Sequence, residues 1–131
     1  MKEKKGAAQK SKMLTDVELE LMTILWRIGE GSVAHVMAEL PEGRDLAYTS
    51  VSTILRILEQ KKILKTRKEG RGHIYTPVLS KTDYEAKTVK HVMENVFEGA
   101  PISLIRTLLD TVNLGNDELE EIKKIIEKNR K

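Results

Sequence analysis

The chain has 131 residues, with 23 Lys and Arg against 20 Asp and Glu, a formal charge of +3 and 40% hydrophobic residues; that suits one folded domain, or a small domain with a helical extension. The absence of cysteine excludes a disulfide scaffold, a thiolate metal site and a cysteine nucleophile. No apolar run approaches the ~20 residues needed to span a bilayer, and the basic start MKEKKGAAQKSKM runs into Leu14-Thr15-Asp16-Val17-Glu18 rather than an apolar signal core, so the expected compartment is the cytoplasm.

In chain order, residues 1–13 carry five Lys and one Glu and are expected to form a basic, flexible N-terminal arm. Thr15 followed by Glu18 has the spacing of a capping box, and Leu14, Val17, Leu21, Ile24, Leu25 and Ile28 recur at helical intervals. A first helix is therefore expected over about 16–28, stopped by Gly29 and Gly31, with Met22 and Trp26 packing between helices. Ser32 caps a short second helix carrying Val33, Val36, Met37 and Leu40, which Pro41-Glu42-Gly43 ends. A third helix is expected from about 48 to 61, with Val51, Ile54, Leu55 and Leu58 inward. Steps of 100° per residue put Thr49, Thr53, Arg56 and Gln60 on the opposite face.

Residues 63–68 and 73–78 read as two short strands around Glu69-Gly70-Arg71-Gly72, a hairpin, with Leu64, Thr66, Ile74 and Thr76 as candidate inward positions. Ser80 and Asp83 have capping-box spacing before a long helix over about 81–98, whose apolar stripe is Val89, Val92, Met93, Val96 and Phe97. Gly99 and Pro101 break it. Ile102, Ile105, Leu108, Leu109 and Val112 mark a shorter helix, and Leu119, Ile122, Ile125 and Ile126 a last one. The expected fold is mostly α with a small β-hairpin. It divides into a winged helix-turn-helix at 14–79 and a C-terminal helical dimerisation region at 80–131, whose broad apolar faces a second copy of the chain would cover.

Charge divides the same way. Residues 44–76 hold eight Lys and Arg against three Asp and Glu, and residues 79–131 nine against ten. A basic front suits a polyanion. A helix that enters the major groove needs small or hydrogen-bonding side chains outward, and the third helix offers Thr49, Thr53 and Arg56, with Ser50 and Ser52 at the margins. Arg56 suits a guanine edge or a phosphate equally. Tyr48 can reach a phosphate through its hydroxyl or close the core with its ring. Arg67, Lys68, Arg71 and His73 lie about the hairpin tip, and Lys61 and Lys65 between helix and hairpin, where cations add affinity independent of sequence. The competing reading of each cation is a solvated turn or a helix end favoured by its dipole. A winged-helix module that binds protein, or a small-molecule-responsive regulator, is the alternative for the whole.

Catalytic chemistry finds no constellation. His35, His73 and His91 stand apart in sequence, there is no HExxH and no GxxxxGK loop, and the acidic run at 117, 118, 120 and 121 suits a helix start. The expectation is therefore no enzyme, no metal and no cofactor.

The opening from Leu14 and Thr15 through Glu18, Met22, Leu25 and Trp26, the segment Glu42 to Thr49, Leu58 to Lys61 and Arg71 to Tyr75 together resemble the penicillinase-repressor family, which includes the beta-lactamase, methicillin-resistance and copper-responsive repressors. The resemblance covers about residues 13–122. It implies a homodimer that binds a palindromic double-stranded operator and blocks transcription, with recognition residues at Thr49, Ser50, Thr53 and Arg56. In beta-lactamase members a sensor-activated protease cuts an Asn-Phe bond in the dimerisation region. Alignment through Ser103-Leu104 and Asp117-Glu118 sets that bond at Thr107-Leu108, where the family dipeptide is absent. Copper sensing by thiolates is excluded because there is no cysteine.

Overall fold

The computed structural model describes residues 13–131, so the basic arm lies, but for Met13, outside the described residues. The element order is α1 (Asp16–Ile28), α2 (Val33–Ala38), α3 (Tyr48–Gln60), β1 (Leu64–Glu69), β2 (Gly72–Pro77), α4 (Lys81–Asn95), α5 (Pro101–Thr111) and α6 (Asn116–Lys128). The described residues up to Thr88 and those from Val89 to Lys131 form two compact units.

Within the first unit, α1 starts with the full capping box. The Thr15 hydroxyl accepts from the Glu18 N–H at 3.1 Å, and Glu18 Oε1 accepts from the Thr15 N–H at 3.0 Å. A second box opens α2, where Ser32 accepts from the His35 N–H and His35 Nδ1 accepts from the Ser32 N–H; His35 is thus a capping residue. The core brings together Leu21, Met22 and Leu25 of α1, Val36 of α2 and Val51, Leu55 and Leu58 of α3, all fully buried. Each large side chain so enclosed contributes roughly 1.5–3 kcal/mol relative to exposure. The start of α4 belongs to the same unit: the Tyr84 hydroxyl accepts from the Leu14 N–H at 3.1 Å, and its ring lies 5.9 Å from that of Trp26. Met22 is in the core, whereas Trp26 packs against α4 and donates its indole N–H to the Leu79 carbonyl at 2.9 Å.

The strands pair antiparallel from Leu64↔Pro77 to Glu69↔Gly72, leaving Gly70 and Arg71 as a two-residue turn. Gly70 takes φ +61°, the left-handed conformation expected at the first central position of such a turn. This register corrects the expected inward set. Leu64 and Thr66 do share the core face, but their partners are Pro77 and Tyr75, and Tyr75 is buried. Ile74 and Thr76 fall on the other face with Arg67 and Lys65, because one step in register turns every side chain over. Tyr75 also exchanges backbone hydrogen bonds with Gly31 at 2.8 and 3.1 Å. A Cβ at Gly31 would lie 2.9 Å from that of His35, so this close approach requires glycine.

A second correction concerns α4, which stops at Asn95 rather than near 98. The Asn95 side chain donates to the His91 carbonyl at 2.9 Å, and Glu98 takes φ +52°, so the chain leaves the helix before Gly99. Pro101 opens α5 from its first turn, where a missing N–H leaves no bond unmade.

In the second unit no residue from 89 to 131 is buried. Val96, Ile102, Leu108, Ile125 and Ile126 are about half exposed or more. Of the described helices, none is long and apolar enough to cross a membrane.

Candidate nucleic-acid interface

Helix α3 has one apolar and one polar side because its sequence alternates at the helical period. Val51, Leu55 and Leu58 are fully buried. Thr49, Ser50, Thr53, Arg56 and Gln60 are exposed on the opposite arc, and Ser52 is half-buried at its margin. Tyr48 is 58% exposed, so its ring does not close the core.

The start of α3 differs from those of α1 and α2. Its N-cap is Ala47, which makes no side-chain cap bond, and its first turn holds no acidic residue. The N–H groups and positive end of the helix dipole are therefore left to solvent or to an anion. Sequence reasoning missed this feature; the signal is Ala47 where Ser, Thr, Asp or Asn would stand in a capped helix.

On the hairpin, Lys65, Arg67, Lys68, Arg71 and His73 are all exposed. Lys68 and His73 pair across the strands on the Tyr75 face, and Lys65 and Arg67 point from the other. Burial pushes the Tyr75 hydroxyl above its usual pKa, with Glu59 and Tyr48 adding to the rise and Arg56 opposing it.

The cations are not equivalent. Lys61 Nζ lies 2.9 Å from Glu18 Oε2. Arg67 grips both carboxylate oxygens of Glu30 at 2.9 Å each and reaches Glu69 at 3.2 Å. Hydrogen bonds from Arg67, then from Thr76, hold the Glu30 carboxyl well below the usual range, at about 2. Arg44 likewise grips Glu20 at 2.8 and 2.9 Å. Among the described residues, Arg56, Lys62, Lys65, Lys68 and Arg71 form no ion pair. Lys61 is also remote from the start of α3, roughly 20 Å along the helix at ~1.5 Å per residue.

The expected dimerisation residues lie in the second unit. Val89, Val96, Ile102, Ile105, Leu108, Leu109, Leu119 and Ile125 are exposed, while Val92, Met93, Phe97 and Ile122 are half-buried. Thr107 and Leu108 lie inside α5 and are exposed. Among the described residues, no group of three His, Asp or Glu could hold a metal ion.

The sequence model of the penicillinase repressor family matches residues 14–128. The chain belongs to the penicillinase repressor family. It is accordingly a DNA-binding transcription regulator of the winged-helix superfamily and not an enzyme. It is 29% identical over 125 residues to the penicillinase repressor of Bacillus licheniformis, covering 94% of this chain and 98% of that one. It is 25% identical over 115 residues to the methicillin resistance regulatory protein MecI of Mammaliicoccus sciuri, covering 88% and 94%. Among solved structures, the DNA-binding domain of the repressor BlaI shares 32% identity with this penicillinase-repressor family member at a TM-score of 0.49, covering 54% of this chain and 87% of that one.

Proposed function

We propose that this protein is a homodimeric transcriptional repressor that binds palindromic operator DNA through α3 and the basic hairpin. The observation that carries the reading is the surface of α3: an uncapped start, an exposed Thr49, Thr53 and Arg56 arc, and a hairpin bearing Lys65, Lys68, Arg71 and His73. Thr49 and Thr53 present methyl and hydroxyl groups to base edges, Arg56 a bidentate donor. Tyr48, Ser50 and Ser52 flank them as phosphate or sugar contacts, and the α3 start receives a phosphate. The hairpin follows the backbone or enters the minor groove, where Arg is favoured.

In this reading residues 14–79 are the DNA-binding domain, braced by the first turns of α4, and the rest is the dimerisation region. The exposed apolar residues of α5 and α6 cover one another across a twofold axis, and burying about 1,600 Å² would make an ordinary interface. Pairing links two half-site contacts, so dimer dissociation weakens DNA binding without touching a DNA contact. A sensor-activated protease acting at Thr107-Leu108 would divide α5 and induce in that way, reading a pair other than Asn-Phe.

Selection of bound duplexes from a random library tests the reading. Enrichment of a palindrome with half-site centres about 10 bp apart, or a multiple of that, is expected. Recovery of unenriched sequence, or of a single asymmetric site bound by one protomer, refutes it. Truncation after Thr88 should lower operator affinity at equal protomer concentration; equal affinity contradicts the role given to the rear helices.

A further inference from the structure

Residues 44–76 hold eight Lys and Arg, which by sequence form one basic patch. The structure separates them. Three acids from α1 and the turn after it reach out to three of these cations at 2.8–2.9 Å: Glu18 to Lys61, Glu20 to Arg44 and Glu30 to Arg67. Each pair ties α1 or its end to a different part of the proposed DNA-binding surface. Arg44 lies in the segment leading into α3, Lys61 directly after α3, and Arg67 on β1. Thr76 on β2 adds its hydroxyl to Glu30 at 3.1 Å, so both strands of the hairpin are held at one carboxylate.

We propose that Glu18, Glu20 and Glu30 withdraw Lys61, Arg44 and Arg67 from the nucleic-acid surface and use them to position α3 and the hairpin, leaving Arg56 for a base edge and Lys62, Lys65, Lys68 and Arg71 as the cations that meet phosphate. The inference rests on the DNA-binding reading and refines it. A guanidinium whose two forks face a carboxylate is not free to fork onto a phosphate. Counterion release therefore counts the unpaired cations and not the paired ones: each phosphate neutralised changes the slope of log K against log salt by about 0.9. Glu30 is the most informative of the three acids, because its side chain is 44% exposed and replacing it with an isosteric amide removes no packing.

The test measures affinity of the full chain for a mixed-sequence duplex of about 30 bp, three turns of helix, by fluorescence anisotropy across a salt series, alongside a duplex enriched by selection. Arg71→Ala should flatten the slope by about 0.9 per bound protomer. Glu30→Gln should steepen it by about the same amount, because Arg67 is released, and should narrow the preference for the enriched duplex, because the hairpin is no longer held. Adding Arg67→Ala to Glu30→Gln should remove the steepening, which a loss of fold stability alone cannot mimic. An unchanged or flatter slope for Glu30→Gln, or a flattening by Arg67→Ala equal to that of Arg71→Ala, overturns the proposal. A wild-type chain whose binding ignores salt instead refutes the DNA-binding reading beneath it.

Discussion

Glu18 serves two structural devices with its two oxygens, and two substitutions separate them. Oε1 completes the α1 capping box by accepting from the Thr15 N–H, and Oε2 pairs with Lys61 beyond the end of α3. Glu18→Gln keeps an acceptor for Thr15, since glutamine also serves in a capping box, and removes only the ion pair. The Lys61 side chain is 34% exposed, so solvent screens the pair, and its loss is worth about 1 kcal/mol. Glu18→Ala removes the cap bond as well, adding about 1 kcal/mol. For a unit of this size each 1 kcal/mol lowers Tm by roughly 4–8 °C. Circular dichroism melts at neutral pH should therefore fall by about 5 °C for Glu18→Gln and about 10 °C for Glu18→Ala. Equal losses in the two variants would show that the capping bond contributes nothing, and a wild-type melt for both would refute the whole account of Glu18.

Acid should weaken the fold with a defined sign. Burial works to raise the Glu18 pKa, but the bonds from Lys61 and Thr15 and the attraction of Lys61 outweigh it, while Arg44 lowers that of Glu20 and Arg67 that of Glu30. Depressed folded values mean that this stability is complete above the ordinary glutamate value of 4.5 and is lost as pH falls through the folded values, for Glu30 down to about 2. Tm across that window should decline less steeply in Glu30→Gln than in wild type; parallel curves would contradict the assignment. Lys62 closes α3 at φ +68°, a conformation that disfavours an L side chain by roughly 1–2 kcal/mol. Lys62→Gly should stabilise the fold by about 1 kcal/mol, read as a higher urea midpoint, while weakening duplex binding, and a destabilised variant would refute this. Ile105 is 45% exposed in the protomer, so Ile105→Glu should leave secondary structure intact and shift sedimentation from dimer to monomer; an unchanged dimer would place the interface elsewhere.

The elements with local causes were readable in the sequence. Thr15 with Glu18 and the apolar repeat set the bounds of α1, and the polar arc of α3 follows from its period. What was missed depends on partners distant along the chain or on the conformation of single residues. The sidedness of β2 turns on whether the hairpin loop holds an even or an odd number of residues, because only an odd change flips the register, and the composition of Glu69-Gly70-Arg71-Gly72 does not fix that parity. The end of α4 depends on Glu98 taking a left-handed conformation that its side chain does not advertise. The pairs Glu20–Arg44, Glu18–Lys61 and Glu30–Arg67 join residues 24, 43 and 37 positions apart, so no local pattern distinguishes those cations from their unpaired neighbours. Charge counting treats all eight alike.

On the proposed reading the outward arc of α3 and the hairpin tip meet DNA together. The most direct measurement is an NMR titration of the isotope-labelled full chain with its selected duplex, following backbone amides. Shifts should concentrate at Tyr48, Thr49, Ser50, Thr53 and Arg56 and at Lys68, Arg71 and His73, with residues 116–128 unmoved by the duplex. Shifts confined to α5 and α6, or a silent α3, would contradict the account.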